Sequence, residues 1–457
     1  MKDGPFGWLR RIATRLSRKG RNAMNVPHSG RVVVVDDMLT EAAPLLAVLS
    51  KHGVPAFYFT GTDQDQLPSK PLAGTRVVFL DIDLGFGGDD KSKISTVMAV
   101  LGRLIGPSNG PYLVLAWTKH PEDVEALQLA LDKFRPAPVK LLDMEKTAYL
   151  TTRVSEDAGA PLYDFVPDAL AKIENKLRAE TEELGAAQVY FTWEDIAHAA
   201  AGGVTADLHS LAPAGPDWNR NASGILVRLA KATAGEQLPM NDPAAVTQNA
   251  LRTLNSVYVD ALESRIASDN RLKAVRGLDM TVPALSHEAV GRLNTRLILA
   301  EVVDTDPIQP GDLFRLQGND FGIVLNDHID AQRVRKFSAQ PALDKVQFVV
   351  AEVSPPCDYA QAKWVRHRFL PGFLCPCAEG GHSIVDNTDR HYRWKSGVIE
   401  VDGMAAQLVF DLRNMTSREL RDIPWQRFLR VRRTPLADIL ARLASHVGRP
   451  GVISLDG

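Results

Sequence analysis

The stretch RVVVVDD, residues 31–37, joins four consecutive valines to two aspartates. A strand with one face in water alternates apolar and polar residues. An unbroken β-branched run instead requires apolar cover on both faces. The same texture returns in VPAFYFTG, TRVVFLDIDLG, PYLVLAWT and APVKLLDM. Between these runs lie MLTEAAPLLAVLSKHG, KSKISTVMAVLGRLIG and PEDVEALQLALDKF, whose apolar spacing is helical. Gly53 is a natural stop for the first of these helices and Pro121 stands near the start of the third. Five strands alternating with helices between residues 31 and 150 predict an α/β, doubly wound and mostly parallel sheet.

A chain of 457 residues exceeds a single core, because domains usually hold roughly 100–200 residues. Four regions are expected: a basic N-terminal extension (1–29), the sheet domain (30–151), a helical middle region (152–292) and a β-rich C-terminal domain with a terminal helix (293–457). The extension carries Lys2, Arg10, Arg11, Arg15, Arg18, Lys19 and Arg21 against Asp3. It lacks the apolar core of a secretory signal, and Trp8, Leu9, Ile12 and Leu16 fit one face of a short helix. In the last region TRLILAEVVD, GDLFRLQ, DFGIVLND, VQFVVAEVS and GVIEVDGMAAQLVFDL read as short strands of a small β-barrel-like domain. The segment from Ser417 onward, with Pro435 within it, reads as helix. A net charge of −2 creates no general field for nucleic acid or anionic membrane, and no apolar run approaches the roughly 20 residues of a membrane span. Three cysteines cannot form a disulfide framework and point to a reducing, cytoplasmic setting without integral membrane contact.

In an open parallel sheet, ligands sit beyond the carboxyl ends of the strands. The first strand ends at Asp36 and Asp37, and the third at Asp81, with Asp83 close behind. In the strand order 2-1-3-4-5 these ends are neighbours, so their carboxylates converge. Clustered carboxylates need positive compensation, and Mg²⁺ is the hard cation suited to oxygen ligands. Thr118 ends the fourth strand and Lys146 follows the fifth, with Lys140 as the competing lysine. A hydroxyl and an ammonium beside an aspartate and a metal form a constellation for phosphoryl transfer. Taken singly, Asp36 also reads as a helix cap, Asp81 as a strand end, Thr118 as a turn residue and Lys146 as a surface charge.

These five positions, in this order, resemble the receiver domain of response regulators over about residues 30–150. The resemblance implies a flavodoxin-like fold, a phosphoacceptor at Asp81, and Mg²⁺ held by Asp36, Asp37 and Asp81. It also implies phosphate-binding and switch roles for Thr118 and Lys146. A sensor histidine kinase would be the partner, with a homodimer through the receiver or helical region, and the C-terminal region would be the effector. Thr147 stands where the family usually has proline, Trp117 precedes the switch hydroxyl, and the loop after Asp81 carries Asp89 and Asp90. These departures keep open a phosphorylation-independent interaction scaffold.

The C-terminal region holds all three cysteines: Cys357, Cys375 and Cys377, followed by His382 in the pattern C-x17-C-x-C-x4-H. Four such groups suit a tetrahedral Zn²⁺, although the spacing is not that of a standard finger, and ordinary thiols fit as well. Cys357 beside Asp358, with His367 or His382 as base, alternatively suggests a thiol hydrolase or nuclease. The segment VSPPCDYAQ resembles a small-barrel module of bacterial proteins with receiver-like N-termini encoded near phage-defence genes, which implies a stress or defence role. Arg418, Arg421, Arg427, Arg430, Arg432, Arg433 and Arg442, with Trp425 and Phe428 among them, suggest either nucleic-acid contact or a solvated helix face. Glu419 and Asp422 interleave with them, which favours the latter.

Overall fold

The computed structural model describes residues 31–85, 90–154, 161–212, 214–235, 238–273, 275, 278–281, 284–303, 308–355, 366–419 and 425–448. The basic segment 1–29, Asp89, Cys357, Asp358, Arg421 and Asp422 lie outside them. The chain divides into two compact units. The first comprises 1–213 and 255–281, and the second 214–254 and 282–457.

The first unit is built on β1 (Arg31–Val35), β2 (Ala56–Phe59), β3 (Thr75–Leu80), β4 (Leu113–Thr118) and β5 (Lys140–Glu145). They form one parallel sheet in the order β2-β1-β3-β4-β5, compatible with a flavodoxin-like fold. The valines of β1 show why the run is unbroken. Val32 and Val34 pack with Leu45 and Leu49 of α1 (Leu39–Lys51) and with Ile173 and Leu177 of α4 (Ala169–Glu183). Val33 and Val35 pack on the other face with Val97 and Leu101 of α2 (Asp90–Leu104) and Leu127 of α3 (Val124–Leu131). All four valines are fully buried, which at about 1.5–3 kcal/mol each anchors the strand whose end carries the acids. Trp117 is also fully buried and stacks edge-on against Phe79, so its bulk belongs to the core.

An antiparallel hairpin follows β5. It consists of β6 (Leu150–Val154) and β7 (Pro161–Phe165), and Leu150 and Tyr163 join the apolar layer under α1. This strand pair precedes the helices of the region expected to be mainly helical. Beyond α4 the region is helical: α5 (Gly185–Leu211), α6 (Trp218–Ala234), α7 (Pro243–Ser268) and α8 (Asn270–Lys273).

The second unit contains α9 (His287–Ile298), the short helices α10 (Ala331–Lys336) and α11 (Gln340–Leu343), and α12 (Arg433–Val447). Its strands are β8 (Leu299–Glu301), β9 (Asp312–Arg315), β10 (Gln347–Glu352), β11 (His367–Pro376), β12 (Arg393–Val401), β13 (Met404–Asp411), β14 (Thr416–Arg418) and β15 (Gln426–Val431). They pair antiparallel in the order β12-β13-β11-β10-β9-β15-β8, with β14 also on β11. Among the described residues the strand path runs from β12 to β8 without a pairing between these two, an antiparallel half-barrel that broadly fits the small β-barrel-like domain expected. Gly372 sits between β10 and β13 at a point where a methyl group would overlap the Val409 carbonyl and the Phe410 ring.

The helix expected from Ser417 is also corrected: β14 and β15 precede α12. The reason is Asp312. An irregularity in the β15–β9 register between Arg427 and Leu429 lets two arginines of odd separation reach the same carboxylate. Arg427 Nη1 lies 3.1 Å and Arg430 Nε 2.5 Å from the fully buried Asp312. The arginine cluster is thus dispersed. Two members neutralise Asp312, Arg418 lies over Phe321 and Trp425, and Arg442 pairs with Asp438 and Asp389. Elsewhere in this unit His328 Nε2 lies 3.1 Å from Asp411 Oδ2, both residues fully buried, and Arg413 bonds the same carboxylate.

Candidate functional site

Beyond the carboxyl ends of β1, β3 and β5 lies a buried cluster centred on Lys146, whose side chain has no exposed surface. Its Nζ lies 2.5 Å from Asp81 Oδ2, 2.8 Å from Asp36 Oδ2 and 3.0 Å from Glu41 Oε2. The Asp81 and Glu41 contacts are hydrogen bonds. The Asp36 contact is an ion pair without good hydrogen-bond alignment, because Asp36 Oδ2 has no hydrogen-bond partner. The other Asp36 oxygen accepts from the Met38 N–H at 3.0 Å. Tyr58 donates to the Asp36 carbonyl at 2.6 Å and fixes the strand end. Asp81 Oδ1 accepts from the Asp83 N–H at 3.3 Å.

The competing lysine is placed elsewhere. Lys140 starts β5 and pairs with Glu180 and Glu183 of α4. Thr118 is fully buried at the end of β4, and its hydroxyl oxygen accepts the His120 N–H at 3.0 Å. Asp37 is only half-buried and rests against Gly85. There the backbone takes φ +73°, and a side chain would meet the Asp37 carboxylate at 2.7 Å, so the turn requires glycine. Asp83 lies on the rim, 3.7 Å from His120 and 3.8 Å from Lys93.

Two members of the cluster had not been anticipated. Glu41 sits in the first turn of α1 and is 2% exposed. Lys119, next to Thr118, bonds Glu41 Oε1 at 2.5 Å and lies over the Tyr163 ring. The signal for Glu41 was its place in the helix that begins just after the two aspartates, since the first turn of that helix borders the strand ends. Reading only the strand ends passed over it.

The electrostatics are those of an acid cluster short of positive charge. Four carboxylates (Asp36, Asp37, Glu41, Asp81) face two ammonium groups (Lys119, Lys146), a formal charge of −2. Burial, reinforced by the Asp81 charge, pushes Asp36 up to about 7 despite Lys146. Burial also raises Asp81 against the pull of Lys146, and burial with the Asp81 charge raises Asp37. For Glu41, the hydrogen bond from Lys119 and the attraction of Lys146 outweigh burial and hold its carboxyl below the usual range. Burial would lower Lys146, but the attraction of Asp81 and Asp36 outweighs it, so the ammonium stays charged.

Oxygen atoms of Asp36, Glu41 and Asp81 lie within 4.8 Å of one another, and among the described residues no other trio could ligate a metal. This all-oxygen, charge-deficient donor set fits a hard divalent cation such as Mg²⁺. All three members of the trio are already paired with the Lys146 ammonium, and the Asp83 N–H donates to Asp81 Oδ1.

Of the expected zinc or thiol set, Cys357 lies outside the described residues, and the remaining members form no comparable centre among the described ones. Cys375 and Cys377 are free thiols and form no metal-ligating trio with His382, which stacks on Phe337 at 4.4 Å. Burial pushes the thiols up to about 12 and about 11, away from nucleophilic thiolate. His367 lies 3.3 Å from the buried Glu352. No helix among the described residues is long and apolar enough to cross a membrane. No protein-family model matches the chain, and a sequence search of curated proteins also finds no match.

Proposed function

We propose that the first unit is a receiver-like phosphoacceptor module in which Asp81 takes a phosphoryl group from a partner kinase and the change is passed to the second unit. The observation that carries this reading is the buried ammonium of Lys146 on the Asp81 carboxylate, within a cluster that still lacks two positive charges. Charge makes Asp81 a nucleophile, and Lys146 favours its ionised form. An Asp81 oxygen attacks phosphorus, the bond from phosphorus to the donor's leaving group breaks, and an acyl phosphate forms. Lys146 then faces the new phosphoryl oxygens, and the Thr118 hydroxyl donates a hydrogen bond to one of them. Asp36 and Asp81, with Glu41 in the place expected of Asp37, would hold Mg²⁺, which when bound would supply the missing charge to the phosphoryl group and the acids.

The test is incubation of the full chain with acetyl phosphate and Mg²⁺, read by intact mass. One added phosphoryl group is expected in the natural chain and none in Asp81→Asn. Absence of the gain in the natural chain, or its persistence in Asp81→Asn, overturns the reading.

A second reading rests on Glu41. This carboxylate ties Lys146 and Lys119 together, and Asp81 is only 5% exposed, so the cluster also suits a fixed lock in a phosphorylation-independent scaffold. That reading predicts no phosphoryl uptake and unchanged partner binding in Asp81→Asn.

A further inference from the structure

The second unit carries a half-open pocket of about 670 Å³, lined by α9, the β8–β15 pair, β9 and the turn between β12 and β13. Sites for small organic ligands usually fall between roughly 300 and 1,000 Å³. Four guanidinium groups line it: Arg292, Arg296, Arg315 and Arg432. Two are neutralised in place. Arg292 pairs with Glu288 at 2.6 Å and Glu400 at 3.3 Å, and Arg315 pairs with Asp402 at 2.5 Å.

The other two are not. Arg432 spends only its Nε, on the Leu299 carbonyl at 2.8 Å, which leaves its terminal amino groups to donate. Arg296 has no polar partner among the described residues, although it stands one helical turn after Arg292. Leu299, Val401 and Leu429 add apolar side chains to the lining. The Phe428 ring lines the same pocket, with the Arg315 guanidinium stacked 4.4 Å from its centre.

We infer that this pocket binds a nucleoside monophosphate. The dianionic phosphate monoester matches the two guanidiniums that lack carboxylate partners, and arginine forks suit phosphate oxygens. The planar base has an aromatic and aliphatic surface to cover, which a bare phosphate would leave wet. Glu301, a third carboxylate on the wall, has no cationic partner among the described residues and accepts hydrogen bonds from base or ribose donors. The pocket is lined by residues of the second unit alone, and the inference does not depend on phosphoryl transfer to Asp81.

The test is isothermal titration of the full chain with AMP, GMP, CMP, UMP and inorganic phosphate. At least one nucleotide is expected to bind one per chain and more tightly than inorganic phosphate. Arg296→Glu, on an exposed side chain that holds nothing in the fold, is expected to weaken it by about tenfold or more, the scale of a lost charge-assisted hydrogen bond. Phe428→Ala is expected to lower nucleotide affinity while leaving that of inorganic phosphate unchanged. The inference is overturned if none of the four nucleotides binds, if inorganic phosphate binds as tightly as they do, or if Arg296→Glu leaves nucleotide affinity unaltered.

Discussion

Replacing Lys146 by methionine keeps an unbranched side chain of similar length and removes the charge at the centre of the acid cluster. The ammonium lies within 3.0 Å of Asp36, Glu41 and Asp81, and neither it nor the Asp36 side chain has exposed surface. Water therefore cannot compensate for the loss. Removing one partner of a buried ion pair costs about 3–5 kcal/mol, and here Lys119 remains to balance only Glu41. At about 1.4 kcal/mol per decade, that corresponds to a fall of about two to four decades in hydrogen-exchange protection.

The effect has a definite dependence on pH. Without the lysine, the buried carboxyls titrate higher in the folded than in the unfolded chain. The folded state then binds more protons, so the penalty is full above the raised values and shrinks as pH falls through them. The assay is exchange mass spectrometry on peptides spanning β1 and β3 at pH 8 and pH 5, corrected for intrinsic rates. A large loss at pH 8 that is much reduced at pH 5 is expected. Adding Asp36→Asn and Asp81→Asn should recover most of the loss, because fewer unpaired charges then remain buried. A change below about 1 kcal/mol at pH 8, or an equal loss at both pH values, would refute the argument.

Two further outcomes concern the second unit. Hydrogen bonds from His328 and Arg413 outweigh burial and hold Asp411 well below its ordinary value near 3.8. Its contribution to stability is therefore complete above that value and is lost as pH falls below it toward the folded-state value, so exchange protection of β13 should drop between about pH 4 and pH 2, and less steeply in Asp411→Asn. Gly372→Ala forces a methyl group against the Val409 carbonyl between two strands, which should cost at least about 1–3 kcal/mol and appear as a lower denaturation midpoint.

How much could be read in advance depended on where the decisive contact lay. The parallel sheet was legible because a strand covered on both faces leaves a local signature, and the alternating destinations of Val32 to Val35 are its structural counterpart. Asp36, Asp81 and Lys146 meet because chain order and parallel pairing bring strand ends together, which is a rule of topology. Glu41 was not legible by that rule, since it reaches the cluster from a helix. The pairing of β6 with β7 was hidden by the brevity of the strands and by the intervening sequence, rich in small and acidic residues. β15 was misread because its arginines mimic the polar face of a helix, whereas their partner, Asp312, lies more than a hundred residues earlier. No local pattern carries that pairing.

The path of the second sheet bears on how this unit is made. β8 and β9 are close in the chain, yet they do not pair with each other. β15 lies between them, clamped to β9 through Asp312. During synthesis the slot between the two early strands stays vacant until residue 431 has emerged, and Asp312 meanwhile has neither arginine to neutralise it. Closure by so distant a segment is slow, as pairings of large sequence separation generally are. A nascent chain halted before Gln426 would expose two unsatisfied strand edges, the kind of surface that recruits chaperones or pairs with a neighbouring chain.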